Sequence, residues 1–108
     1  GIKRAIIDAA GSGDNTLVAA VTNKRIRVHA LFLVMTGTLV TIRFESGAGG
    51  TALTGQMTPL KGHDLVLPWN PAGWFETAHS TLLNMELGDA QSVGGALVYS
   101  EVNEDQKV

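Results

Sequence analysis

Arg25-Ile26-Arg27-Val28-His29-Ala30-Leu31-Phe32-Leu33-Val34 decides the fold. In an extended chain successive side chains point to opposite faces, so Ile26, Val28, Ala30, Phe32 and Val34 are expected on one face. Arg25, Arg27 and His29 begin the other face, which turns apolar at Leu31 and Leu33. A strand that is polar-out at one end and apolar on both faces at the other is covered there. The cover is either another part of the same chain or a neighbouring subunit.

Met35-Thr36-Gly37 supplies a tight turn, and Thr38 to Glu45 reads as the return strand. Val40, Ile42 and Phe44 are expected inward; Leu39, Thr41, Arg43 and Glu45 are expected outward. Ser46-Gly47-Ala48-Gly49-Gly50 reads as a hairpin tip. Further strands are expected over Ala5–Ala9, Thr16–Val21, Leu53–Leu60, Asp64–Leu67, Phe75–His79, Leu82–Leu87 and Ser92–Val102. They recur about every 8–12 residues, and glycine, asparagine and aspartate turns separate them, the rhythm of a sandwich. No long window keeps helical apolar spacing without a glycine break. The expectation is all-β: an antiparallel β-sandwich, a jelly roll of about eight strands. It would form one domain over residues 1–102 with a short N-terminal arm, followed by a polar C-terminal tail over 103–108.

Composition narrows the function. Charged residues are 17% of the 108, below the roughly 25% usual in soluble domains, as expected where other subunits cover part of a surface. A net charge of −2 offers no basic face for nucleic acid. Zero cysteines exclude a disulfide framework or a thiolate metal site, and fit synthesis in the cytoplasm. No signal-peptide pattern opens the sequence. The apolar run Ala30 to Met35 is far short of the roughly 20 residues of a membrane span.

Candidate chemistry is sparse. His29, His63 and His79 are isolated from one another and lack the spacing of a metal site. Gly11-Ser12-Gly13-Asp14 and the 46–50 tip are not followed by the helix that a phosphate cradle needs. Glu76, Glu86 and Glu101 could form a carboxylate pair only if the fold brought two together. No nucleophile elbow is present. The expectation is no enzyme, no cofactor and no metal. Leu65-Val66-Leu67-Pro68-Trp69-Asn70-Pro71-Ala72-Gly73-Trp74-Phe75-Glu76-Thr77 holds both tryptophans and two of the three prolines. Each tryptophan can bury roughly 150–250 Å². Trp69, Trp74 and Phe75 are therefore expected as core plugs or interface anchors. Sugar stacking by an exposed Trp69 is the alternative.

Several segments together carry a family likeness. They are Gly-Ser-Gly-Asp-Asn-Thr-Leu-Val-Ala-Ala-Val (11–21), Lys-Arg-Ile-Arg-Val (24–28), Gly-Ala-Gly-Gly-Thr-Ala-Leu-Thr-Gly (47–55), Leu-Pro-Trp-Asn-Pro-Ala-Gly-Trp-Phe-Glu-Thr (67–77) and Gly-Gly-Ala-Leu-Val-Tyr-Ser-Glu-Val (94–102). This pattern resembles the head decoration, or cement, proteins of tailed bacteriophages. The resemblance implies a virion protein on the capsid surface, a homotrimer that binds major capsid protein subunits and reinforces the head. It makes the outward Leu31, Leu33 and Leu39 candidate contacts beside Trp69, Trp74 and Phe75. It also makes Gly1 to Ile7 and the polar C-terminal tail candidate arms reaching neighbouring capsid subunits. Similar sandwiches in phage tails and fibres keep a carbohydrate- or receptor-binding module open as the alternative.

Overall fold

The computed structural model describes residues 1–38 and 40–108. The strands are β1 (Ile2–Ala9), β2 (Gly13–Val18), β3 (Arg25–Met35), β4 (Ile42–Ser46), β5 (Thr51–Ala52), β6 (Asp64–Leu67), β7 (Phe75–Glu76), β8 (Leu83–Leu87) and β9 (Val93–Val102). One sheet runs β1-β9-β3-β6, with β7 also on β3; the other runs β2-β8-β4-β5. The antiparallel pairs β1–β9, β2–β8, β3–β6 and β4–β5 nest inside one another. One long hairpin, folded over into two layers, gives this nesting: it is a jelly-roll β-sandwich.

The two inner faces meet in one apolar core. Ile7, Ile26, Val28, Leu33 and Met35 from the first sheet pack with Ile42, Phe44, Leu83, Met85 and Leu87 from the second. Val40, Ile42 and Phe44 point inward as the alternation predicts. Phe75 stacks on Phe44 with ring centroids 5.2 Å apart, so it anchors the core rather than an outer contact.

Strand β3 departs from simple alternation. Val28 pairs with Tyr99 and Ala30 with Val98, leaving His29 as an extra residue. Such a bulge shifts every later side chain to the opposite face. Leu31 and Leu33 are therefore buried, at 3% and 1% exposure. The expectation that they face outward is corrected: Ala30, Phe32 and Val34 take that face instead. Leu39, the third expected contact of this kind, lies outside the described residues.

Other segments also differ from the simple reading. Leu53–Leu60 is mostly irregular, tied in by a bridge between Met57 and Ile42. Residues expected as an N-terminal arm form β1, paired along its length with β9. The polar tail makes a 3-10 turn over Glu104–Gln106. Arg25 holds Glu104 at 2.5 Å, and Arg27 donates to the Gln106 carbonyl.

β3 and β9 approach closely at Gly95, where an added Cβ would lie 2.0 Å from the Phe32 carbonyl oxygen. No rotamer relieves a clash with backbone. Gly95→Ala should lower stability by about 1–3 kcal/mol or more, read as a lower urea midpoint. An unchanged midpoint would show that the strands can separate there freely.

Candidate functional site

The outer face of the β1-β9-β3-β6 sheet is apolar at its centre. Cross-strand register places Ile6, Ala96, Phe32 and Val66 in one row. Ile6 is 80% exposed, Phe32 53% and Val66 60%. The row on one side holds Arg4, Val98 and Ala30; the row on the other holds Asp8, Gly94, Val34 and Asp64. A shallow depression lies among Arg4, Ala30, Phe32, Ala96 and Val98. Contiguous exposed apolar surface of this kind makes the face a candidate interaction site.

The tryptophan loop borders this face. Segments β6 and β7 both pair with β3 and are two parts of one edge, with residues 68–74 looping out between them. Asn70-Pro71-Ala72-Gly73 forms the turn: the Gly73 N–H donates to the Asn70 carbonyl, and Asn70 Oδ1 accepts from the Ala72 N–H. Asn first, Pro second and Gly last suit such a turn. Gly73 has φ of 85°, a left-handed conformation that favours glycine.

His29 anchors the loop to the sheet. The Asn70 carbonyl can only accept, so the His29 Nδ1 carries the proton and donates across 2.9 Å. Nε2, on the other side of the ring, is hydrogen-bonded to the Ser100 hydroxyl at 2.7 Å. Trp69 stacks over this ring at 4.8 Å and is 55% exposed. The Trp74 indole N–H donates to the Pro68 carbonyl at 2.8 Å, closing the loop on itself. Trp69 thus continues the outer face, while Trp74 braces the loop and is partly exposed.

The other sheet carries charge on its outer side. Oxygens of Asp14, Glu45 and Glu86 lie within 4.8 Å of one another. Arg43 donates to Glu45 at 2.5 Å and to Glu86 at 3.3 Å. Asn84 Nδ2 bridges Asp14 and Glu45 at 2.8 and 2.9 Å. A guanidinium and an amide therefore already serve these carboxylates from within the fold. Burial pushes the Glu45 carboxyl upward, but hydrogen bonds from Arg43 and Asn84, with the Arg43 charge, hold it below the ordinary range. Among the described residues the histidines join no such group; His79 sits near Glu104 instead.

Comparison with known proteins adds the fold and stops there. No protein-family model matches the sequence, and no curated protein matches it. Among solved structures, the chain is similar to one from the Bacillus endospore appendages, described as a novel family of disulfide-linked pili. The TM-score is 0.56 at 18% identity, over 95% of this chain and 87% of that one. The likeness is one of fold.

Phe32, at the centre of the face, escapes the alternation reading because the bulge in β3 reverses it; Ile6 and Val66 join it only through the cross-strand register of β1 and β6. One signal was present: β3 and β6 each read as apolar on both sides near Leu31–Val34 and Leu65–Leu67. Two adjacent strands with this property imply an outer apolar patch whichever way each is turned.

Two outcomes are expected here. His29→Ala removes both ring hydrogen bonds and the stacking surface under Trp69. Hydrogen exchange at residues 68–74 should rise and Trp69 emission should shift, with the rest of the sheet unchanged; equal protection in the variant would show that the loop holds itself. Glu45 has a lowered folded pKa, so its contribution is present above the unfolded pKa and lost as pH falls through the folded value. Wild type should lose stability below about pH 4. Glu45→Gln should flatten that part of the thermal-melt pH profile.

Proposed function

We propose that this chain is a non-enzymatic structural subunit that assembles with copies of itself, using the outer face of the β1-β9-β3-β6 sheet. The exposed row Ile6–Ala96–Phe32–Val66 carries the reading. Leaving several large apolar side chains in water has a free-energy cost that association removes, at about 25 cal/mol per Å² covered. Away from this row, His29, Asn70, Arg43, Glu45 and Asn84 are engaged in holding loops and strands.

The sequence resemblance supports a specific form of this reading: a trimeric decoration protein on a phage capsid, bound to the major capsid protein. The fold likeness to a chain of disulfide-linked pili supports self-assembly more generally. This stretch contains no cysteine, so contacts between copies of it would not be disulfides. A second reading, glycan binding, is favoured by one observation: Trp69 is held flat on His29 with much of its surface exposed. Rigid, exposed aromatic rings suit sugar stacking.

Sedimentation velocity and electron microscopy separate these forms. Trimers that bind capsids support the decoration role, and filaments support a pilus-like one. A chain that stays monomeric but whose tryptophan fluorescence responds to a glycan supports the second reading. Phe32→Asp should weaken self-association at least about tenfold without lowering the melting temperature, because Phe32 contributes to the surface rather than the core. Unimpaired assembly in that variant would move the contact elsewhere.

A further inference from the structure

The face that the proposed function uses has a charge pattern matched to itself. Arg4, Ile6 and Asp8 lie in succession on the outer side of β1, in three adjacent cross-strand rows. Rows two residues apart are about 6.8 Å from each other, so Arg4 and Asp8 are about 13.6 Å apart along the strand. Neither is in an ion pair within the chain, among the described residues. The rows are otherwise uncharged as far as Asp64, on the opposite edge.

We propose that two copies dock these faces against each other about a two-fold axis lying in the interface, perpendicular to the strands and passing through the Ile6–Ala96–Phe32–Val66 row. This rests on reading the face as a self-assembly surface and specifies its partner and geometry. Such an axis keeps each strand opposite its own copy and exchanges the flanking rows. Arg4 then lies over Asp8 of the second copy, and Asp8 over Arg4, while Val98 and Ala30 meet Gly94 and Val34. The central apolar row packs on itself. An axis parallel to the strands would instead place Asp8 over Asp64, a like-charge contact. The sequence pattern therefore selects one of the two simple face-to-face arrangements.

Size also matters. Four strands about 4.8 Å apart and about 20 Å of strand length cover roughly 400 Å² per copy, or roughly 800 Å² in total. That is below the roughly 1,200 Å² of a stable specific interface. The contact alone should form a weak, concentration-dependent dimer, suited to an assembly in which several contacts act together.

Charge reversal tests the arrangement, using sedimentation velocity on the full chain with folding verified by circular dichroism. Arg4→Asp makes the rim acidic and Asp8→Arg makes it basic, so each alone should dimerise at least about tenfold more weakly than wild type. An equimolar mixture of the two variants should form a heterodimer, because the acidic rim then faces the basic one. The double variant should regain self-association. If wild type associates but neither single change weakens it, or the mixture stays monomeric, the two-fold arrangement is overturned and self-assembly through another contact stands. A wild type that is monomeric at every concentration, like Phe32→Asp, overturns both and leaves the face to a different partner.

Discussion

The hydrogen bonds around His29 set the arrangement of the first sheet. One extra residue in β3 lets the His29 ring turn outward to meet the Asn70 carbonyl and the Ser100 hydroxyl. Asn70 and Trp74 N–H groups donate to the His29 and Val28 carbonyls at the same point. The carbonyls of Val28 and His29 at the bulge are thus met by donors from the loop. The wider effect of the bulge is parity. Leu31, Leu33 and Met35 enter the core only because His29 has used one position.

Much of the architecture was legible from local chemistry. Strand β6 runs from Asp64 to Leu67 after the turn at Lys61-Gly62-His63, as expected, and Ile42 and Phe44 face the core. Strand spacing suggested a jelly-roll sandwich, whereas the strand order is seen only in the fold. The bulge was not legible, because a histidine between valine and alanine looks like ordinary polar alternation. Its cause is the loop 68–74, distant in sequence. Glu45 lies on the outer side as expected yet is buried there, because Arg43 and Asn84 meet it on the sheet and make burial of a carboxylate tolerable. Such compensation depends on cross-strand neighbours that no single segment reveals.

The two outer faces divide the surface into different chemistries. One is served by its own guanidinium and amide donors, so its carboxylates are internally matched. The other presents apolar side chains with few charges, one basic and the others acidic, at its margins. Surface that satisfies itself has little to gain from a partner, whereas exposed apolar surface gains from being covered. The sequence reading placed candidate contact residues on β3 and the tryptophan loop; the fold buries Leu31 and Leu33 and exposes Phe32 between them.

The interrupted edge formed by β6 and β7 has a consequence for how the protein avoids uncontrolled growth. An unbroken edge strand offers a continuous row of free N–H and C=O groups, a template on which foreign or unfolded chains can extend a ladder without limit. Here only short ladders flank a proline-containing excursion, and Pro68 and Pro71 carry no amide hydrogen. A strand arriving at this margin meets a few residues of usable template and then a gap. Misfolded accretion along this margin is thereby stopped early, while ordered association remains free to proceed through side chains on the sheet face.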